Sequence, residues 1–64
     1  MNLRVYQVAT TNDRSLPSRK WNHCSVSAYS HLDAAYKALN YETHIKQHED
    51  GMFEFENGVF VKVK

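Results

Sequence analysis

The stretch that decides the fold is Met52-Phe53-Glu54-Phe55-Glu56-Asn57-Gly58-Val59-Phe60-Val61-Lys62-Val63-Lys64. Two apolar, aromatic-rich segments flank Asn57-Gly58, which is typical of a β-hairpin. A two-residue loop would put carboxylates on the face of the valines, and burying them is costly. A three-residue loop with Gly58 in the left-handed conformation instead pairs Phe53 with Val61. We therefore predict a hairpin over residues 52–64 in that register, with Phe60 on its outward face.

A helix is predicted just before the hairpin. Ser30-His31-Leu32-Asp33 resembles a capping box, in which the Ser30 hydroxyl accepts from the Asp33 N–H and the Asp33 carboxylate accepts from the Ser30 N–H. A stripe at helical spacing follows, which indicates a helix packed on a sheet. The stripe consists of Leu32, Ala35, Tyr36, Leu39 and Thr43.

The end of this helix has two interpretations. Asp50-Gly51 is a good stop, and it favours a helix over residues 31–48. The alternative is a helix that ends near Tyr41, with a strand beginning at residues 43–45. The longer helix would carry a second apolar stripe that the sheet cannot cover, made of Ala34, Ala38, Tyr41 and Ile45.

Two strands are predicted in the first half of the chain. Residues 3–9 are apolar on both faces, as in an inner strand, and residues 11–20 form a loop that contains Pro17. Residues 21–29 alternate, with Cys24 on the inward side. The prediction is one α+β domain over residues 1–64, a ββαββ antiparallel sheet with one helix packed on one face. Its uncovered face would hold Tyr6, Trp21, Tyr29 and Phe60.

Composition excludes several function classes. The chain has 64 residues, a net charge of +1 and a single cysteine. The near-neutral charge argues against a dedicated duplex-DNA binder, and the lone cysteine favours a reducing, cytoplasmic setting. The polar residues near Met1 fit neither a signal peptide nor a membrane span.

The sequence contains only weak signals for catalysis or metal binding. So small a chain has little volume for a substrate pocket, and Cys24 is expected to act as a small hydrophobe. His44 and His48 would share one side of the longer helix, but two imidazoles make half a zinc site. We expect no enzyme activity, no cofactor and no bound metal.

Binding to another macromolecule accounts for more of the sequence. So small a fold exposes apolar side chains that a partner could cover, and a basic loop next to a tryptophan is typical of contact surfaces. A homodimer is an alternative occupant of this surface, and single-stranded nucleic acid stacked on the sheet aromatics is an alternative function. The expected partner-binding residues are Arg14, Arg19, Lys20, Trp21, Tyr41, Ile45, Tyr6 and Phe60.

The element order also resembles a family of phage proteins. The Ser-x-x-Asp-Ala helix start after Ala28-Tyr29, and the Phe-x-Phe-x-Asn-Gly-Val-Phe-Val hairpin, are similar to small ββαββ inhibitors of host RNA polymerase or of CRISPR interference complexes (anti-CRISPR proteins). The resemblance implies a stoichiometric inhibitor of a larger host nucleoprotein complex. Many such inhibitors are acidic DNA mimics, whereas the charge of +1 points to steric blocking.

Overall fold

The chain forms one antiparallel sheet with a short helix on one face. The computed structural model describes residues 2–49 and 51–64. Within them the strands are β1 (Arg4–Thr11), β2 (Asn22–Ala28), β3 (Ile45–Glu49), β4 (Met52–Phe55) and β5 (Phe60–Val63), and the helix α1 (His31–Ala38) joins β2 to β3. The sheet order is β2-β1-β5-β4-β3, so β2 and β3 are its edges. The α+β class is as expected, but the described residues hold five strands where ββαββ has four.

The prediction of a helix over residues 31–48 is wrong in its second half. α1 ends at Ala38, and Asn40 and Tyr41 both adopt positive φ, at 54° and 57°. The Tyr41 N–H donates to the Tyr36 carbonyl at 2.9 Å and the Asn40 N–H to the Lys37 carbonyl at 3.1 Å. These two bonds make a Schellman motif, and the Tyr41 ring stacks on that of Tyr36 with a centroid distance of 6.1 Å.

Tertiary pairing reinforces this early stop. Ile45 pairs with Phe55 at the start of β3, and its N–H donates to the Tyr36 hydroxyl at 3.3 Å. A helix that continued through Ile45 would lose both contacts. Gly51, with φ of 76°, lies in the turn between β3 and β4 rather than at a helix end; Asp50 lies outside the described residues.

The C-terminal hairpin has the register expected from the three-residue loop. Phe53 pairs with Val61, and the Phe55 N–H donates to the Val59 carbonyl at 2.9 Å. Gly58 has φ of 86°, a left-handed conformation that costs glycine nothing. The pairing places both phenylalanines on the face that packs beneath the helix, and both are almost completely buried.

The core lies between α1 and one face of the sheet. Because Tyr6 pairs with Val26 and Val8 with Val63, these side chains share the helix-covered face. The expectation of an outward Tyr6 is therefore wrong: Tyr6 is buried, and its ring meets the His31 ring edge-on at 4.9 Å. Cys24 lies on the same face by register but is exposed, because it belongs to the edge strand and α1 does not cover it.

The segment between β1 and β2 folds back over the end of the sheet. It contains a short 3-10 turn, Ser18–Lys20, and it covers Trp21, whose indole N–H donates to the Leu16 carbonyl at 2.9 Å. Trp21 is only 7% exposed. A buried tryptophan side chain makes a large contribution to the stability of a small domain. Trp21 is thus a core residue and not the exposed anchor that the sequence predicted.

Candidate interaction surface

The structure scatters the residues that were expected to bind a partner. Tyr6 and Trp21 are buried in separate places, beneath α1 and beneath the loop. Phe60 does face away from the helix, but it is half-buried, with the Arg14 guanidinium 5.8 Å from its ring centre. A continuous aromatic sheet face is therefore not formed.

The second apolar stripe is also not a surface. Ala34 is completely buried in the core, and Ile45 packs against that core from β3. Tyr41 is 58% exposed, but its hydroxyl donates to the Asp33 carboxylate at 2.6 Å. Its main contacts are thus within the monomer, where it links the end of the helix to its first turn.

The basic residues remain accessible. Arg14, Arg19 and Lys20 are all exposed on the segment between β1 and β2. Arg19 and Lys20 lie in the last turn of the 3-10 helix, next to the buried Trp21. Exposed cations of this kind can steer an approaching partner, although the aromatic anchor expected beside them is covered.

Three of the most exposed large apolar side chains lie at one end of the β1-β2 ladder. Val5, Leu3 and Tyr29 are 67%, 54% and 50% exposed. Val5 pairs with Ser27, and Leu3 and Tyr29 directly follow the last pair of the ladder, Arg4 with Ala28. We call these three residues the apolar end of the sheet. Val5 lies on the face away from α1, whereas the Tyr29 ring lies near Lys37 of α1 and lines a shallow pocket with Arg4 and Tyr6, so the three side chains surround the end of the ladder and do not share one face. Exposed apolar side chains that lie close together on a small protein mark an interaction site more often than single ones do.

Sequence reasoning expected Tyr29 to be outward but missed Leu3 and Val5, because placing Tyr6 on the uncovered face turns the opposite side of the strand inward. β1 is apolar on both faces, so its own pattern does not say which face is buried. A usable signal lies in β2, where His23, Ser25 and Ser27 define a polar face. The register places Val5 on that same face, away from α1.

Tyr29 is held in place by the cap of α1. Its backbone N–H donates to the Asp33 carboxylate at 3.0 Å, while the Ser30 hydroxyl accepts from the Asp33 N–H at 3.1 Å. The reciprocal bond of the predicted capping box therefore reaches Tyr29 and not Ser30. The hydrogen bond from the Tyr41 hydroxyl, and then the one from the Tyr29 N–H, lower the pKa of the Asp33 carboxyl.

Lys37 completes this arrangement from the helix. Its ammonium donates to the Ser27 carbonyl at 2.7 Å and lies 5.9 Å from the centre of the Tyr29 ring. It also lies 3.9 Å from the Asp33 carboxylate. An exposed tyrosine with a fixed backbone and a neighbouring cation loses little conformational freedom when a partner covers it.

An open groove separates the first turn of α1 from β3 and β4. Its volume is about 700 Å³, and its walls include the rings of His31 and His48. The expected pairing of His44 with His48 on one helix does not occur, since residue 48 lies on β3 and its ring stacks on Phe53 at 4.5 Å. No cluster of three or more potential metal-ligating side chains occurs in residues 2–49 and 51–64.

Comparison with known proteins assigns the chain to no family. In the described part of the chain, no helix has the length and apolar character needed to cross a membrane. Searches against family models, curated proteins and solved structures found no match to this chain.

Proposed function

We propose that this protein is a binding module for another protein, that it performs no chemistry of its own, and that the apolar end of the sheet is its contact surface. The observation that carries the proposal is the exposure of Leu3, Val5 and Tyr29, each at least half exposed, at one end of the β1-β2 ladder. Tyrosine is enriched among the residues that dominate binding energy, and apolar neighbours exclude water around it.

The more specific form of the proposal is steric inhibition of a host nucleic-acid-processing complex in the cytoplasm. It is supported by the resemblance in size and element order to small phage-encoded inhibitors, from which the fifth strand departs. The net charge of +1 favours steric blocking over mimicry of DNA. Arg14, Arg19 and Lys20 would then steer the approach to an acidic region of the partner.

Binding of single-stranded nucleic acid is the alternative. It needs aromatic rings exposed on a sheet face, where bases can stack. Tyr6 lies under the helix and Trp21 under the loop, so neither ring is accessible for stacking. Titration of a fluorescent oligonucleotide separates the two functions: the protein-binding proposal expects no change in anisotropy at moderate salt.

The proposal can be tested by affinity capture from bacterial lysate. Wild type is expected to retain a defined protein complex, and the double variant Val5→Ser with Tyr29→Ala is expected to lose it. The variant keeps the Tyr29 backbone N–H that caps α1, so its far-UV circular dichroism should match that of wild type. The purified complex should then lose its nucleic-acid-processing activity when equimolar wild type is added, and keep it with the variant.

Leu32→Ser is the matched control. Leu32 is 45% exposed, similar to Tyr29, but it lies on the first turn of α1 and lines the groove. This control should retain the partner as wild type does. Retention of the partner by the double variant would contradict the placement of the site, and failure of wild type to retain any protein would contradict the function.

A further inference from the structure

The two edges of the sheet differ in how they are protected. Strand β3 carries Lys46 and Glu49, and a bulge interrupts its pairing between Ile45 and Gln47. Charged side chains and bulges are the usual devices that stop an edge from pairing with another strand. The sequence of β2 is Asn-His-Cys-Ser-Val-Ser-Ala, and it has neither an acidic or basic (Lys, Arg) residue nor a proline.

The backbone groups of β2 that face solvent can be identified from its neighbour. Gln7 exchanges backbone hydrogen bonds with Lys64, at 3.3 and 2.9 Å, so its N–H and C=O point away from β2. Its partner in β2 is Ser25, whose N–H and C=O must then point outward, because such groups alternate along an antiparallel ladder. The same alternation turns the N–H and C=O of His23 and Ser27 outward.

The Ser27 carbonyl illustrates this direction. It accepts a hydrogen bond from the Lys37 side chain, which reaches it from α1. A carbonyl has two lone pairs, so Ser27 can accept a second hydrogen bond from an added strand. The backbone of Ser25, at the middle of β2, is approached by no such side-chain contact among the described hydrogen bonds.

We propose that β2 pairs with β2 of a second copy of this chain to form an antiparallel dimer with a continuous sheet across the junction. Complete overlap of β2 with itself puts Ser25 opposite Ser25 of the second copy and His23 opposite Ser27. All three are outward-facing positions, so this register satisfies the backbone groups of both strands. Among the side chains of β2 itself it brings no pair of like charges together, since β2 has no acidic or basic (Lys, Arg) residue. The Lys37 ammonium stays at the Ser27 carbonyl, beside His23 of the second copy.

A second copy is favoured as the partner of the β2 edge because pairing of β2 with itself gives a closed dimer. A contact between β2 and β3 of successive molecules would give an open fibre, but the charges and the bulge of β3 oppose it. Pairing of β2 with itself uses the same edge of both molecules and ends the assembly at two. Val5 lies on β1, away from this edge, so the dimer leaves it exposed, whereas Tyr29 directly follows the paired strand and lies at the end of the junction.

Sedimentation equilibrium tests the dimer without any partner, so its failure is distinct from failure of the proposed function. Wild type is expected to be a dimer. Ser25→Pro removes the outward N–H at the centre of β2, spares the bonds to β1, and should give a folded monomer. Ser25→Ala removes the side-chain bond to Gln7 but keeps the N–H, and should stay dimeric. Should the proline variant fail to fold, Ser25→Lys provides the same test by placing like charges at the axis.

Disulfide crosslinking tests the register. With Cys24 changed to Ser, the Ser25→Cys variant places two thiols on paired residues with Cα atoms about 5.5 Å apart, within disulfide range. Ser27→Cys on the same face is the matched control, since its two copies would be about 14 Å apart. Crosslinking of the first variant alone is expected. A wild type that is monomeric up to millimolar concentration, a dimeric proline variant, or equal crosslinking at both positions would overturn the proposal.

Discussion

Substitutions of Asn40 distinguish the observed helix end from the longer helix, because the two structures predict opposite orders of stability for the alanine and glycine variants. Asn40 has φ of 54° at the C′ position of the Schellman motif. A side chain with a Cβ in that conformation costs roughly 1–2 kcal/mol, asparagine tolerates it better than alanine, and glycine adopts it freely. We expect Asn40→Ala to lower the free energy of unfolding by about 1 kcal/mol and Asn40→Gly to leave it unchanged or raise it slightly.

A helix over residues 31–48 would give the opposite order. Position 40 would then be a helix interior, where alanine is more stable than glycine by about 1 kcal/mol. Urea unfolding of both variants, followed by far-UV circular dichroism and by Trp21 fluorescence, measures the difference. For a domain of this size 1 kcal/mol corresponds to a shift of about 4–8 °C in Tm. An alanine variant that is more stable or more helical than the glycine variant would refute the Schellman assignment.

Two further predictions concern the cap and the loop. The pKa of the Asp33 carboxyl is lowered in the folded protein, first by the Tyr41 hydroxyl and then by the Tyr29 N–H. The ionised carboxylate therefore stabilises the fold at pH values above the ordinary pKa near 3.8, and this stabilisation is lost as the pH falls through the lower pKa of the folded state. Asp33→Asn should therefore be less stable than wild type at neutral pH, and urea unfolding at a series of pH values should show the gap closing in acid; a gap that is constant with pH would contradict this. Trp21→Ala should destabilise the fold by about 3–5 kcal/mol, enough to unfold much of a marginally stable domain, and circular dichroism would detect it. Full helicity and an unchanged urea midpoint would mean that the loop does not cover Trp21.

Several local features could be predicted from the sequence because their bonds close within a few residues. The cap at Ser30 depends on Asp33, three residues away, and the hairpin register depends on the loop that ends at Gly58. In both cases one side chain or one left-handed residue is enough to select the conformation. The α+β class follows from the same local patterns, since strand and helix periodicities differ.

The end of the helix was ambiguous in the sequence, although the signals for it were present. Asn40 is an acceptable C′ residue, and Asp50-Gly51 is as typical of a hairpin turn as of a helix stop. The choice was made by partners distant in the chain: Phe55 pairs with Ile45, and the Tyr36 ring meets the Phe55 ring edge-on at 5.3 Å. Local propensity is too small to outweigh such contacts.

By itself, the sequence determined the elements whose hydrogen bonds are local, which are the helix start and the C-terminal hairpin. Only the tertiary structure decided which face of β1 is buried, because Tyr6 and Val5 are both suited to a core and the choice depends on pairing with β2 and on where α1 lies. The candidate surface depends on the same choice. A strand that is apolar on both sides can bury either one, and burial is a property of what packs against it.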